Sequence, residues 1–598
     1  MKWRMAVLAC LACSFVVGFV NAPLRADDAD LILHNAKIVT VDERFSIHEA
    51  MAIKGERIVR VGSNADVLKT RGAATKLVDL GGKTVIPGLI DSHVHPGSAC
   101  MTEFDHPIPQ MESIEDVLDY IRSRAEQLDA GQWIQVRQVF ITRLREQRYP
   151  TREELDRVAP KHPVVFSTGP DASLNSLALT LSGIDKDFKV TDGGPGFIER
   201  DPITGEPTGI LRSCTRFVKS KSSTRQATEE DQVRRHLELF RDYNSVGITS
   251  IVDRDASSDA IDKYRRMREK GQLTLRIAVS QHIDTLGDVE AIQENIRKVA
   301  ADPLHDWVAR SESSKGVGTV HGDARLRIIG IKTYLDGGML TGSAYMREPW
   351  GVSKIYAITD PDYRGVLFIP RERLLPIVRT AVESGLQFTA HSVGDGAVHT
   401  LLDVYDEINR TTPVRPTRPC ITHSNFMSRE AVETAARLGV IVDIQPAWLY
   451  LDTRTLVAQF GYDRLRYFQP LKSIFAAGGL AGGGSDHMQK IGSLHSINPY
   501  NPFLGMQTAI TRRARWFDGQ LHPEEALSRE QALRFYTINN AHLMFLDEAV
   551  GSLEAGKLAD FAILDRDILT CPEDQIRESN VLATYSNGVR VFAQAAVK

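Results

Sequence analysis

The stretch Val85-Ile-Pro-Gly-Leu-Ile-Asp91-Ser-His93-Val-His95-Pro96 decides how this 598-residue chain is read. A short apolar run ends in two histidines one residue apart, and in a strand residues i and i+2 project from the same face. His93 and His95 therefore stand side by side where the strand gives out, because Pro96-Gly97 turns the chain out of the sheet. Two neutral imidazoles so placed suit one metal ion. A pair of histidines on an exposed strand has the same spacing, so the rest of the chain must choose.

Outward from this stretch, apolar strand-like runs alternate with amphipathic helical stretches, the pattern of a parallel sheet flanked by helices. Strands are expected to end near His95, Asp253, Ser280, Tyr334, His391, Ser424, Gln445 and Asp486. Eight such units make a closed (β/α)8 TIM barrel. Helices are expected over 371–383, stopped by Gly385, over 398–409, and over 429–438, stopped by Gly439. At the two chain ends lie short strands, 31–41 and 51–61 (folded about Lys54-Gly55-Glu56), then 559–564 and 582–592, the last turned at the hairpin signal Asn587-Gly588. The expected fold is α/β: a barrel over 85–548 with a small β-sandwich domain assembled from 27–84 and 549–598. Residues 100–225 are too many for one barrel helix. They hold a helix over 114–127, strands over 133–139 and 164–167, and the turn-rich Asp192-Gly-Gly-Pro-Gly, and read as an insertion over the barrel mouth. The polar segment 302–323 reads as another loop on that face.

Apolar residues make up 42% and charged residues 25%, and the formal net charge is -4, which describes a globular protein with no electrostatic reason to bind nucleic acid. Lys2 and Arg4 precede an apolar stretch over 5–20, with small residues at Ala22 and Ala26. This reads as a signal peptide over 1–26, removing Cys10 and Cys13 and sending the chain to the periplasm or beyond. A lipoprotein cut before either cysteine is the alternative. Cys100, Cys214, Cys420 and Cys571 are expected as free or buried thiols. No further run is apolar enough to cross a membrane. Oligomeric state is left open, a homo-oligomer included.

The C-terminal strand ends of a barrel converge on one mouth. There stand His93, His95, Lys332, His391, His423 and Asp486. Each has an ordinary explanation, such as a core histidine or a helix cap, but four histidines and an aspartate on four strand ends point to a metal site. Asp253, Tyr334, Asp336, Asn175 and Trp448 are candidates to line a substrate pocket. His487 is a further candidate for the mouth, while His106, His236 and His305 are read as surface residues. No Gly-x-Ser-x-Gly nucleophile elbow competes.

The first-strand stretch Ile86 to His95 resembles the signature of the amidohydrolase superfamily, and Gly551-Ser-Leu-Glu-Ala-Gly-Lys-Leu-Ala-Asp560 resembles that of its C-terminal β-domain. Ile331-Lys-Thr-Tyr-Leu-Asp-Gly337, His391-Ser-Val-Gly-Asp395, Gly484-Ser-Asp486 and 525–533 resemble its family 3 branch, which includes N-substituted formamide deformylases. The resemblance implies a divalent pair, two zinc ions, with iron, manganese or cobalt as substitutes. It places His93 and His95 on one metal, His391 and His423 on the other, and Lys332 between them as a carbamate. An ammonium cannot ligate a cation, so Lys332 must first lose a proton and take up carbon dioxide; as a free lysine it would form an ion pair, with Asp336 the candidate. Asp486 would touch the first metal and act as general base and acid on water whose pKa the metal lowers from about 15.7 toward 7. The implied activity is hydrolysis of a C-N bond of a small molecule. The alternatives are a one-metal deaminase of a cyclic amine or amidine and a non-catalytic relative. Two departures bear on substrate: Pro170 or Asp171 where many members carry histidine, and Thr422 where many carry glutamate.

Overall fold

The computed structural model describes residues 28–594, except 138, 170, 193–195, 222–224 and 306–323. The expected signal segment, Pro170 and part of the 192–196 turn lie outside the described residues.

Eight strands form one parallel sheet in chain order: Leu89–Val94, Ile248–Ala256, Arg276–His282, Leu326–Tyr334, Gln387–Ser392, Cys420–His423, Ile441–Ile444 and Leu480–Gly483. The last meets the first where Val94 bridges His487 in parallel, and the amide of Asp486 donates to the carbonyl of His93 at 2.8 Å, closing the (β/α)8 barrel. All six residues of the first strand are buried, as expected of strands covered on both faces. Ile90, Val252, Ala278, Ile329, Cys420 and Ile441 form an apolar floor that packs on Ala541, Leu543 and Met544 of a plugging helix turn. Above this floor lies Arg254, fully buried, donating to the carbonyl of Ser92, the hydroxyl of Ser280 and Oε1 of Gln387. The metal-binding candidates occupy the layer above that. A helix over Arg371–Glu383 and one over Arg429–Leu438 lie where expected, the latter ended by Gly439 at φ 72°.

The chain ends build two sheets that share a core of Leu33, Ile38, Met51, Ile53, Val85, Phe561, Ile563 and Tyr585. The expected single strand over 31–41 is instead two strands, Ala29–His34 and Lys37–Val39, in different sheets, because Asn35 takes φ 51° and turns the chain from one to the other. Thr84–Pro87 also belongs to this domain, so the barrel begins just after Gly88.

The insertion has a five-stranded sheet of its own over 134–212, more strands than the two expected, and its helix Ile114–Gln127 starts at a capping box formed by Ser113 and Asp116. The helix Val289–Ala300 is followed by a short turn at Pro303–His305, and the fourth strand starts at Leu326; the rest of the loop expected over 302–323, residues 306–323, lies outside the described residues.

Candidate metal centre

His93, fully buried at the end of the first strand, has its Nδ1 3.1 Å from Oδ2 of Asp443 at the end of the seventh. That carboxylate also accepts from Ser92, and Arg254 lies 3.6 Å away. The contact fixes the ring so that Nε2 faces the mouth, the usual way a carboxylate orients a metal-binding imidazole. There Nε2 of His93 lies 3.2 Å from Nε2 of His95 and 3.4 Å from Oδ1 of Asp486, while His95 Nε2 is 3.2 Å from the same oxygen. Two imidazole nitrogens this close bring lone pairs together unless a proton or a cation lies between them. One oxygen and two nitrogens converging in this way fit a divalent cation.

The second group is arranged likewise. Nδ1 of His423 is 2.8 Å from Oε1 of Gln445, which leaves its Nε2 for a ligand. Its ring is 4.5 Å from that of His391 and 4.9 Å from that of His93, centroid to centroid. Burial, followed by neighbouring imidazoles and Lys332, holds His93 and His423 far below the ordinary histidine range; burial and then Lys332 push His391 down to about 3. Neutral imidazole is the ligating form. Lys332 is 1% exposed, with Nζ 4.9 Å from the Tyr334 ring centre, and no carboxylate of the described residues is within ion-pair reach; burial lowers its pKa. His93, His391, His423 and Lys332 are thus held toward their proton-free forms, whereas His95 is raised, its burial being outweighed by the Asp486 carboxylate.

Three of the residues in the left-handed region also stand at this place. His423, Ser424 and Asp486 take φ of 77°, 44° and 56°, a region that costs a non-glycine residue about 1–2 kcal/mol. Such conformations persist where surrounding bonds over-determine them.

A cavity of about 170 Å³ opens on these groups, lined by His95, Lys332, His391, His423 and Asp486, with Tyr334 and Trp448. Trp448 stacks on His423 at 4.6 Å, and Phe140, from the insertion, closes one wall. The structure therefore brings together all six candidate ligands and two of the five candidate pocket residues.

The other three do not line this cavity, although Oδ1 of Asp336 lies 4.0 Å from Nε2 of His391. Asn175 caps the helix Ser176–Ser182 inside the insertion, accepting from the amides of Val164 and Ala178, so its side chain is spent on backbone. Asp253 accepts from the hydroxyl of Tyr264 in the barrel wall. Asp336 accepts from the amides of Tyr345, Val393 and Gly394, which ties two loops together and replaces the expected ion pair with Lys332. His487 is buried beside the mouth, between the Tyr243 hydroxyl and the Lys490 carbonyl. His236 and His305 are also buried rather than on the surface, whereas His106 is partly exposed.

Three functional candidates were missed by sequence reasoning. Asp443 lies in the short strand Ile441–Ile444 and Gln445 just past its end, the same i, i+2 signal that marks His93 and His95. Asn498, whose amide donates to Asp486, lies in a loop with no signal of its own.

The model of a family described as the amidohydrolase family matches residues 76–592. The N-substituted formamide deformylase of Arthrobacter pascens is 28% identical over 583 residues, covering 94% of this chain and 98% of that protein. The protein LONG AFTER FAR-RED 3 of Arabidopsis thaliana is 27% identical over 573 residues, covering 94% of this chain and 92% of that protein. Among solved structures, an uncharacterized metal-dependent hydrolase from Pyrococcus horikoshii OT3 superposes with a TM-score of 0.64 at 22% identity, over 91% of this chain and 99% of that one, which shows a common fold.

Proposed function

The chain belongs to the amidohydrolase family, and from that premise we propose that it hydrolyses an amide- or formamide-type C-N bond, other than a peptide bond, in a small molecule. The observation that carries this reading is the convergence of His93, His95 and Asp486 on one point, with His391, His423 and Lys332 lining the same small cavity. A relative of nearly full-length coverage is named for deformylation of N-substituted formamides, which supports the substrate class.

His93, His95 and Asp486 would hold one divalent cation, and His391 and His423 a second, with Lys332, as a carbamate, able to serve both. When bound, such ions polarise a carbonyl and ready water for attack. The chain supplies the rest. Asp443 and Gln445 keep the ligating nitrogens of His93 and His423 pointed inward. Asp486 stands at the cavity wall with a carboxylate that can take the proton of the attacking water and return it to the leaving nitrogen. Phe140, Met339, Leu340, Trp448 and Met488 give the cavity apolar walls, which exclude bulk water and suit a compact substrate with little charge near its reacting bond. The apparent signal segment supports action outside the cytoplasm.

A second reading, the one-metal deaminase, rests on the fact that among the described residues only His93, His95 and Asp486 gather tightly enough to share an ion. Elemental analysis separates the two. Protein prepared with bicarbonate is expected to carry close to two metals per chain, falling in Lys332→Ala, and to release formate or another carboxylate from a panel of N-substituted formamides and amides. One metal in both proteins, with ammonia released from cyclic amidines, would overturn the proposal in favour of deamination.

A further inference from the structure

The Asp486 carboxylate does not hold its own position. Its backbone is in the left-handed region at φ 56°, and the side-chain amide of Asn498 spends both of its N–H bonds on it: Nδ2 donates to the carbonyl oxygen of Asp486 at 2.7 Å and to Oδ2 at 3.3 Å. This leaves Oδ1 of Asp486 for His93 and His95. The orientation of the Asn498 amide is fixed in turn. Its Oδ1 accepts from Nη1 of Arg143 at 2.8 Å, and a guanidinium can only donate, so the amide cannot be turned round without losing both partners. Arg143 is itself locked by a two-pronged pair with Asp452, Nε to Oδ1 and Nη2 to Oδ2, each 2.8 Å, and by a further bond to the carbonyl of Ile497. Arg143, Asp452 and Asn498 are 5%, 0% and 1% exposed.

Three parts of the chain distant in sequence meet in this line. Arg143 comes from the insertion, Asp452 from the helix Pro446–Phe460 after the seventh strand, and Asn498 from the loop after the eighth. We propose that Asn498 is the positioning residue for Asp486 and that Arg143 sets Asn498, so that docking of the insertion is a condition for assembling the metal-binding site. The inference rests on the metal-hydrolase reading above and deepens it. On this account the insertion is part of the catalytic apparatus as well as a wall of the cavity. Asn498 touches no metal-binding nitrogen; it acts through the geometry of the aspartate, where outer partners of ligands typically govern affinity by about 10–100-fold.

The test is zinc binding to the metal-stripped full chain, measured by competition with a chromophoric chelator and paired with a urea midpoint. Asn498→Leu keeps the volume and leaves Arg143 its bonds to Asp452 and Ile497. It is expected to weaken zinc binding by about 10–100-fold with the urea midpoint little changed, and to lower kcat on whichever formamide the parent accepts. Arg143→Met should repeat that loss in its folded fraction, and the double variant should be no worse than either, because both act along one line. Arg143→Lys, which keeps a buried donor and a charge for Asp452, should recover much of the affinity. Parent-like zinc affinity and kcat in Asn498→Leu would overturn the positioning role alone. Absence of zinc binding in the parent would overturn the metal-hydrolase reading, and this inference with it.

Discussion

Two buried cations on adjacent barrel strands have opposite surroundings. Arg276 opens the third strand, at the base of the barrel, and is fully buried. Its guanidinium donates to both oxygens of Asp560, at 2.8 and 2.9 Å, and also to Asn587, which joins the barrel to the β-domain. Lys332 stands near the end of the fourth strand, at the mouth, equally buried and with no carboxylate partner among the described residues. A buried charge left unpaired costs free energy that a paired one recovers. The base of the barrel is therefore where stability is secured, and the mouth is where groups are held unsatisfied for a ligand to satisfy.

Substitutions at the two ends should accordingly change different quantities. The largest effect is expected from Asp486→Asn, which keeps shape and removes the proton acceptor. We expect kcat to fall by about 10²–10⁴, the usual contribution of a general base, with the urea midpoint unchanged or raised. Next comes Arg276→Met, which strands the Asp560 carboxylate inside the protein. Breaking one partner from a buried pair costs about 3–5 kcal/mol, read in urea denaturation, while kcat and metal content of the folded fraction stay at parent values. If Arg276→Met stripped the site of metal with the fold intact, the division between the two ends would be broken.

Lys332→Met sharpens the same contrast, because the identical replacement at the other end should carry the opposite sign. Here methionine removes a buried amine that has no ion-pair partner among the described residues, and the cost of burying it goes too. In metal-free protein the urea midpoint should rise, and metal uptake should fall. A lower midpoint would show that the lysine is stabilised in the metal-free chain and that the mouth is not the unsatisfied end.

The barrel was legible because both kinds of signal were strong. Buried strands read as apolar runs, and helix bounds such as Ile114–Gln127, Arg371–Glu383 and Arg429–Leu438 are set by caps and glycines visible in the sequence. Barrel topology then says where strand ends go, so the ligand candidates could be named without knowing any loop. Asn175 and Asp336 misled because a polar side chain at an element's end serves the backbone as readily as a substrate. Asn498 and Arg143 were invisible because their meeting depends on how an insertion docks, which local pattern does not encode.

His236 shows a signal that was present and passed over. It lies on the helix Glu229–Ser245 at the spacing of Leu239, Phe240 and Tyr243, which is the buried face, and is 1% exposed. It is surrounded by the Cys100 thiol and the Phe240 and Tyr264 rings, the charge of Lys263 acts on it, and its Nδ1 donates to the Gln232 carbonyl. Burial, only partly offset by that hydrogen bond, pushes its pKa down to about 4 from 6.5. The sign follows directly: below about pH 6.5 the unfolded chain takes up a proton that the folded chain refuses, so stability falls with pH until about 4 and is level beneath that. Linkage puts the loss at about 1 kcal/mol near pH 6 and about 2 kcal/mol near pH 5. Urea midpoints of the parent and of His236→Phe, taken at several pH values, isolate it, since carboxylate contributions are common to both proteins and cancel. The gap between them should shift in favour of the variant as the pH falls through this window. A gap independent of pH would mean that the wall of the barrel is open enough there for the imidazole to ionise in place, and that the unsatisfied character of the molecule is not confined to its mouth.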